Sequence, residues 1–217
     1  MLKSRLCIAF FAFAVGCAPA QKPLTDYVNP MLGTATLWDS VDLGFKPTKR
    51  TWGAEVFPGS SLPNAMVQVS PVTKFHSGAG YQYEDSVIYG FTHTNKGHWN
   101  LCHIPLLPVT GTPTPGDYCS PFSHERESAA PGYYQGFLDR YGVDAQLSST
   151  LRCAFHKYTY PAGAAASLLA DLQRSNEHVR AWDIRKEGDN VFAGWQQTGE
   201  KMYFYAVANR PVTGIEP

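Results

Sequence analysis

The stretch Gly78–Pro108, GAGYQYEDSVIYGFTHTNKGHWNLCHIPLLP, organises the rest of the chain. Its first part is rich in Tyr, Val, Ile and Phe, which favour strands, and Gly90 breaks that run. The alternation then stops at residues 92–100, THTNKGHWN, where polar and aromatic side chains crowd together. Leu101–Pro108 returns to an apolar, proline-punctuated sequence. The stretch therefore predicts a strand, a polar loop, and a second strand or sheet edge.

This loop carries groups suited to binding a flat, hydrogen-bonding ligand. Trp99 offers a flat face to a sugar ring or a base, and His98 and Asn100 offer hydrogen-bond donors and acceptors. His93 lies earlier in the same loop. The structural alternative is that Trp99 caps a core and that His93 is a hydrogen-bonded core histidine. The residue types alone leave both interpretations open.

The composition favours one turn-rich, mostly β domain. The 217 residues are 44% hydrophobic and only 17% charged, with 19 Gly and 16 Pro. These contents fit strands and turns better than helices. The 18 basic and 18 acidic residues cancel. Because the sequence has no basic stripe, nucleic-acid binding is disfavoured.

Turn signals recur about every 8–12 residues, which is typical of a β-sandwich or barrel. The other expected strands are Ala65–Ser70, one that starts near Tyr133, Val143–Leu151, Arg152–Pro161, Ala166–Leu172, Val179–Arg185, Val191–Trp195 and Met202–Val207. Ala166–Leu172 is largely apolar and is expected to be a buried strand. No closing element follows Met202–Val207, so we expect a sandwich truncated at its C-terminus, with an exposed edge.

The first 20 residues predict an export signal. A basic start precedes the apolar run Leu6–Gly16, which is too short to span a membrane. Ala14–Cys17 resembles a lipobox, whose cleavage would leave Cys17 as a lipidated N-terminus. Ala18–Ala20 is a competing A-x-A site for ordinary cleavage after Ala20. We expect the lipobox, with a soluble exported protein as the alternative.

Motifs for other chemistries are weak. The sequence has no G-x-S-x-G, P-loop or G-x-G-x-x-G motif. Glu84 and Asp85 are adjacent in a predicted strand and would point to opposite faces. Glu125 and Glu127 would share a face if extended, but their His and Arg neighbours favour a salt-linked loop over a catalytic pair.

The cysteines leave the redox state open. Three of them, Cys102, Cys119 and Cys153, follow the predicted signal. This odd number is compatible with one disulfide and one free thiol, or with no disulfide at all. There is no C-x-x-C pair or other metal-ligand spacing, so a zinc site is disfavoured.

Several segments in order resemble glycoside hydrolase family 92, the exo-acting α-mannosidases of glycan-degrading gut bacteria. They are Asp26–Thr34 (DYVNPMLGT), Phe57–Pro71 (FPGSSLPNAMVQVSP), Gly80–Tyr83, Ile88–Thr94 (IYGFTHT), Phe122–Glu125, Pro131–Tyr134 and Phe155–Pro161 (FHKYTYP). Each segment is short, but the ordered set spans most of the chain after the signal.

The resemblance implies an antiparallel β-sandwich of the galactose-mutarotase-like supersandwich kind over residues 21–217. In the family an (α/α)₆ barrel follows this sandwich, and the barrel carries the acid Glu, the base Asp and most ligands of an essential calcium ion. The barrel is absent from this chain, so no catalytic residue is expected here. The expected partners are that barrel and a mannose-containing glycan. The protein itself is expected in the periplasm, or as an outer-membrane lipoprotein, of a Gram-negative bacterium.

The resemblance also assigns a role to the central loop. Residues 97–100, Gly97, His98, Trp99 and Asn100, match the family loop that reaches the terminal mannose, with Trp99 as a stacking face and His98 and Asn100 as hydrogen-bonding groups. His93 would orient the loop. The sequence NKGHWN departs from the S-G-T-G type found in other members, so the preferred linkage stays open.

Three functions follow from these observations. The first is the N-terminal part of an inverting, calcium-dependent exo-α-mannosidase that is inactive by itself. The second is a free-standing carbohydrate-binding module, and the third is a structural or interaction domain on the cell surface. We expect the first.

Overall fold

The computed structural model describes residues 21–36, 55–97, 100–114 and 116–215. The predicted signal with Cys17, and also His98 and Trp99, lie outside the described residues. Two short 3₁₀ helices span Leu24–Tyr27 and His124–Arg126. The strands are Ser60–Ser61 (β1), Gln68–Val72 (β2), Val87–Ile88 (β3), Gly90–Thr92 (β4), Leu106–Thr110 (β5), Ser120–Pro121 (β6), Glu127–Ala130 (β7), Tyr133–Leu138 (β8), Val143–Ser149 (β9), Ala154–Thr159 (β10), Ala166–Ala170 (β11), Ala181–Lys186 (β12), Val191–Gln197 (β13) and Lys201–Val207 (β14).

These strands form antiparallel sheets, as the sequence predicts. A five-stranded sheet has the order β1-β2-β4-β5-β11, and a four-stranded sheet has the order β10-β9-β8-β7. A third sheet contains β12-β13-β14, and β3 pairs with β6. All strand pairs between named strands of the described residues are antiparallel. The all-β prediction is therefore confirmed.

The main core lies between the five-stranded and four-stranded sheets. Its fully buried members include Phe91 and Leu107 from the first sheet and Tyr134, Leu138 and Leu147 from the second. Side chains of β8 and β9 alternate between buried and partly exposed, because successive residues of a strand point to opposite faces. Each such buried apolar side chain contributes about 1.5–3 kcal/mol to stability.

A smaller core joins the third sheet to the first. Ile104, Leu106 and Leu172 are buried there and pack against the inner face of the third sheet, including Trp182 and Phe204. This contact fixes the third sheet beside the start of β5. It also places Ile104, the last residue before Pro105, between two sheets.

The central stretch differs from its prediction. Residues 78–86 form turns rather than a strand, so Glu84 and Asp85 do not alternate across a sheet as expected. The second strand begins only at Leu106 and is interior to its sheet. Proline has no N–H to donate to a neighbouring strand. Pro108 is tolerated in β5 because β4 pairs with β5 only at Phe91–Leu106, so β4 offers no acceptor opposite Pro108.

The prediction of a buried strand at Ala166–Leu172 was wrong. The strand covers Ala166–Ala170 and lies at the edge of its sheet, paired only with β5 among the described strands. Its Leu168 side chain is 38% exposed. An apolar run of this length does not distinguish a central strand from an edge strand, because both pair with a neighbour.

Candidate functional site

The segment that follows the predicted sugar-binding loop has an unusual backbone. Leu101, Cys102 and Ile104 have φ angles of 65°, 59° and 55°, in the left-handed region that non-glycine residues avoid. Such conformations cost about 1–3 kcal/mol each and persist only where the surroundings impose them. We call residues 100–104 the strained segment. His76, with φ of 57°, lies on a neighbouring turn.

Asn176 clamps the strained segment to that turn. Its side-chain oxygen accepts the backbone N–H of His76 at 2.9 Å, and its amide nitrogen donates to the carbonyl of Ser77 at 2.9 Å and to that of Asn100 at 3.4 Å. Its backbone N–H donates to the carbonyl of Leu101 at 2.9 Å. Asn176 is buried. One side chain therefore links two loops and fixes the end of the loop that contains Asn100.

His103 anchors the other side of the strained segment. Its backbone N–H donates to the Thr94 hydroxyl at 3.1 Å, and its ring bonds that hydroxyl at 2.7 Å and the Thr198 hydroxyl at 3.0 Å. Burial lowers the pKa of His103, so the neutral ring is favoured. The backbone N–H of Ile104 donates to the Gln196 side chain at 2.8 Å. Contacts with Gln196 on β13 and with Thr198, the residue after β13, therefore hold residues 103–104 in place.

Glu177 completes this frame with a carboxylate. Hydrogen bonds from Thr198 and from the backbone of Leu101 and Gly199 hold the pKa of Glu177 below its usual value. The Leu101 N–H lies 3.4 Å from its Oε1 atom. The group is therefore anionic at neutral pH and lies directly beside the strained segment.

Two predicted site residues lie near this frame: Asn100, the first residue of the strained segment, and Gly97, which lies beside Glu55. The Asn100 Oδ1 atom is buried and has no hydrogen-bond partner among the described residues. An unpaired buried acceptor costs about 1–3 kcal/mol, so it calls for a ligand or another reason. At Gly97, a Cβ atom would lie 2.8 Å from the Glu55 carboxylate and 2.9 Å from its carbonyl oxygen. Glycine is therefore required for the loop to pass this close to Glu55.

His93 lies at the base of the loop with both ring nitrogens engaged. Its Nδ1 atom bonds the Ile104 carbonyl at 2.8 Å, and its Nε2 atom lies 2.9 Å from Nε2 of His156. Burial lowers the pKa of His93 to about 4. The ring therefore contacts the strained segment. A direct contact between His93 and a sugar stays a prediction, as do the roles of His98 and Trp99.

Several site residues escaped sequence reasoning. Asn176, Glu177, Thr198 and His156 reach the loop from distant parts of the chain; the Asn176–Ser77 contact, for example, spans 99 residues. No spacing in the sequence indicates these contacts. Only the register of the strands brings them to the loop.

A second polar cluster surrounds Glu127, and it is internally satisfied. The carboxylate, only 2% exposed, accepts hydrogen bonds from Tyr81 at 2.9 Å, Tyr134 at 2.6 Å and the His124 ring at 2.5 Å. Burial, followed by the charge of Glu127, raises the pKa of both tyrosines. Glu125 is exposed on the adjacent turn, so the two glutamates do not face a common substrate.

An open cleft of about 490 Å³ lies beside residues 73–75 and 84–89. Its wall includes Tyr89, with the Arg174 guanidinium 5.7 Å from the ring centre. Its acidic groups already have partners, because Asp85 accepts from the Thr73 hydroxyl at 2.8 Å and Glu84 from the Thr36 N–H at 2.7 Å. The cleft therefore offers fewer free polar groups than its composition suggests.

A calcium ion needs several oxygen ligands close together. Within the described ranges, no three His, Cys, Asp or Glu side chains gather in a way that could hold a metal. No helix within those ranges is long and apolar enough to cross a membrane.

The sheets form a β-sandwich module, and the strained segment with the loop before it is its candidate ligand-binding site. The sequence profile described as the glycosyl hydrolase family 92 N-terminal domain matches residues 27–216. The chain belongs to this family, as its N-terminal domain. A comparison with curated proteins found no match.

Solved structures agree with this assignment. A family GH92 α-mannosidase from Bacteroides thetaiotaomicron is 27% identical, with a TM-score of 0.76, over 89% of this chain and 27% of that chain. The same enzyme in complex with mannoimidazole is 28% identical over 89% of this chain and 26% of that chain, again with a TM-score of 0.76. The family GH92 inverting mannosidase from Bacteroides thetaiotaomicron VPI-5482 shares the fold at 23% identity, with a TM-score of 0.67, over 85% of this chain and 25% of that chain. This chain thus spans about a quarter of the length of these enzymes.

Proposed function

We propose that this chain is the N-terminal module of an exo-acting α-mannosidase and supplies one wall of its sugar-binding site. The observation that carries the proposal is the family match over residues 27–216, together with solved α-mannosidases in which this fold forms about a quarter of the chain. The partner is the (α/α)₆ catalytic barrel, and the substrate is the terminal α-mannoside of a glycan.

The wall is the loop of residues 97–100. Trp99 stacks on the sugar ring, and His98 and Asn100 hydrogen-bond its hydroxyl groups. Asn100 is partly exposed and its carbonyl accepts from the Asn176 amide at 3.4 Å, which supports a side chain held at the end of this loop within reach of a ligand. The close approach of Gly97 to Glu55 supports a fixed position for the first residue of this loop.

The chemistry is inverting hydrolysis, and the proton transfers belong to the barrel. There one carboxylic acid protonates the leaving oxygen, and a carboxylate activates water on the opposite face of the sugar. A calcium ion bound mainly by the barrel would supply positive charge near the sugar hydroxyls. The residues of this chain bind and orient the sugar, which lowers the barrier by reducing the entropy lost on reaching the reactive geometry.

The cellular address is part of the same proposal. Residues 1–20 direct export, and cleavage before Cys17 leaves a lipidated protein at the periplasmic face or outer membrane. Palmitate labelling of the cell-associated protein, compared with the Cys17→Ser variant, tests this assignment. Equal labelling of both proteins would remove Cys17 as the lipid site, and retention of Met1 would remove export.

Hydrolysis by the isolated chain tests the division of labour. The purified chain, incubated with α-linked mannobioses with and without calcium, is expected to release no mannose. Release of mannose that persists after further purification would place catalytic carboxylates on this chain and overturn the proposal. A glycan array run on the same protein tests whether it acts as a free-standing binding module; strong binding with no effect of the Trp99→Ala substitution would favour that function at another surface.

A further inference from the structure

A row of three side chains connects the four-stranded sheet to the strained segment. The Tyr158 hydroxyl lies 2.7 Å from Nδ1 of His156, and Nε2 of His156 lies 2.9 Å from Nε2 of His93. Nδ1 of His93 lies 2.8 Å from the carbonyl oxygen of Ile104. The row therefore begins on β10 and ends on a residue with a left-handed backbone.

The direction of each hydrogen bond in this row follows from chemistry. A carbonyl oxygen only accepts, so Nδ1 of His93 carries a hydrogen, and Nε2 of the neutral ring is an acceptor. His156 must then donate from Nε2, which leaves its Nδ1 atom to accept from Tyr158. Burial lowers the pKa of both histidines, which favours the neutral rings that this arrangement requires. The two histidines thus take opposite tautomers.

The row holds one end of the strained segment in place. Ile104 is bound at both backbone groups, its carbonyl by His93 and its N–H by Gln196. His93 in turn has no freedom to rotate without breaking its contact with His156. Cys102 lies two residues away, fully buried and with its N–H bonded to the carbonyl of Thr94. The position of the segment is therefore coupled to the β10 side chains.

We infer that His156 and Tyr158 are positioning residues for the strained segment, which follows the proposed sugar-binding loop. They act through His93 on this segment, whose first residue is Asn100. That the adjoining loop binds sugar rests on the proposed function, but the coupling itself does not. When the row is intact, the strained segment stays packed and keeps its Cys102 side chain buried. When the row is broken, the segment opens without unfolding of the whole domain.

The Cys102 thiol gives a direct readout of this opening. Because its side chain is fully buried, alkylation needs the segment to open, and peptide mass spectrometry separates it from Cys119 and Cys153. The His156→Leu variant removes the donor to His93 and is expected to label at Cys102 about tenfold faster than the wild type. In His156→Gln the amide nitrogen can still donate to His93, so its labelling rate should return to within about threefold of the wild type.

A matched pair of tyrosine variants separates positioning from general packing. Tyr158→Phe removes the hydroxyl of the row, whereas Tyr160→Phe, on the chain just after β10, removes a hydroxyl that bonds the Ser167 carbonyl instead. Faster Cys102 labelling is expected for Tyr158→Phe alone. Urea denaturation gives the free energy of unfolding of each variant. From that value the rate of Cys102 labelling expected from global unfolding alone is calculated. Rates no faster than the calculated one, or equal rates for the two tyrosine variants, would overturn the positioning role.

Tautomers provide a spectroscopic signature that does not depend on stability. Long-range proton–nitrogen NMR spectra at pH 7 should show His93 protonated at Nδ1 and His156 protonated at Nε2. The same tautomer on both rings would overturn the row. None of these measurements uses a sugar, so the two proposals fail separately. Altered Cys102 labelling would leave the positioning role standing even if Trp99→Ala left kcat/KM unchanged in the complete enzyme, a result that would count against the proposed sugar-binding wall alone.

Discussion

The side-chain amide of Asn176 donates to the carbonyl oxygen of Ser77 at 2.9 Å, across 99 residues of sequence. The same side chain reaches His76 and Asn100, so a single buried residue joins the turn after β2 to the end of the candidate sugar-binding loop. The end of the loop at Asn100 is therefore held by a contact with a distant part of the chain. Its geometry depends on contacts that can be removed one at a time.

Replacing Asn176 tests that dependence. Asn176→Ala leaves buried donors and acceptors at His76 and Ser77 unpaired, and should lower the free energy of unfolding by about 2–3 kcal/mol. Urea denaturation measures this change. Asn190→Ala is the matched control, because among the described residues the Asn190 amide nitrogen donates to a single acceptor, the Ala208 carbonyl at 2.8 Å on a hairpin of the third sheet. Equal effects of the two substitutions would show that Asn176 has no special role.

Acid should destabilise the domain through its buried histidines. The pKa of His93 falls from 6.5 to about 4 on folding because burial disfavours the charged ring. Between these values the unfolded chain binds a proton that the folded chain does not. Stability is therefore full above pH 6.5 and falls as the pH drops towards 4, by about 3 kcal/mol for this group alone.

Urea denaturation between pH 7.5 and pH 4.5 measures this dependence. The groups that face the ring are His156, itself shifted in the same direction, and the backbone of His103 and Ile104. His93→Gln should have a flatter dependence on pH, whatever its stability at pH 7.5. A slope as steep as that of the wild type would mean that other groups cause the loss.

The buried carboxylate of Glu127 should be important for stability and unimportant for chemistry. Glu127→Gln removes the buried carboxylate that accepts hydrogen bonds from Tyr81, Tyr134 and the His124 ring, so it should cost about 3 kcal/mol. Glu125→Gln, two residues away and exposed, should change stability by no more than about 0.5 kcal/mol. Similar costs for both would contradict a structural role for the buried carboxylate.

Trp99 should matter for turnover in the complete enzyme. With residues 21–217 joined to a family 92 catalytic barrel, Trp99→Ala should lower kcat/KM for an α-mannoside at least about tenfold, equivalent to about 1.4 kcal/mol. Trp195→Ala is the control, because that ring lies on β13 with the Lys201 ammonium 3.6 Å from its centre. An unchanged kcat/KM for Trp99→Ala would remove this side chain from the site.

The sequence predicted most of the later strands, but no pattern in it indicates the strained segment. Val143–Ser149 and Ala154–Thr159 follow the period of two, because each has one face in the core and one outside. The strained segment has no such signal: Leu101, Cys102 and Ile104 are residues that favour ordinary strand angles, and distant partners such as Asn176 impose their conformation. Burial of Ala166–Leu172 was wrongly predicted because an edge strand and a central strand of a sheet can have the same apolar sequence pattern.

An NMR titration of the ¹⁵N-labelled chain with methyl α-mannoside tests the proposed sugar-binding wall most directly. We expect the amide shifts that change to cluster at residues 97–101 and at Asn176, and we expect Trp99→Ala but not Trp195→Ala to abolish them. Changes confined to another surface, such as the cleft beside Tyr89, or changes that survive Trp99→Ala, would contradict the claim that this loop forms one wall of a mannoside site.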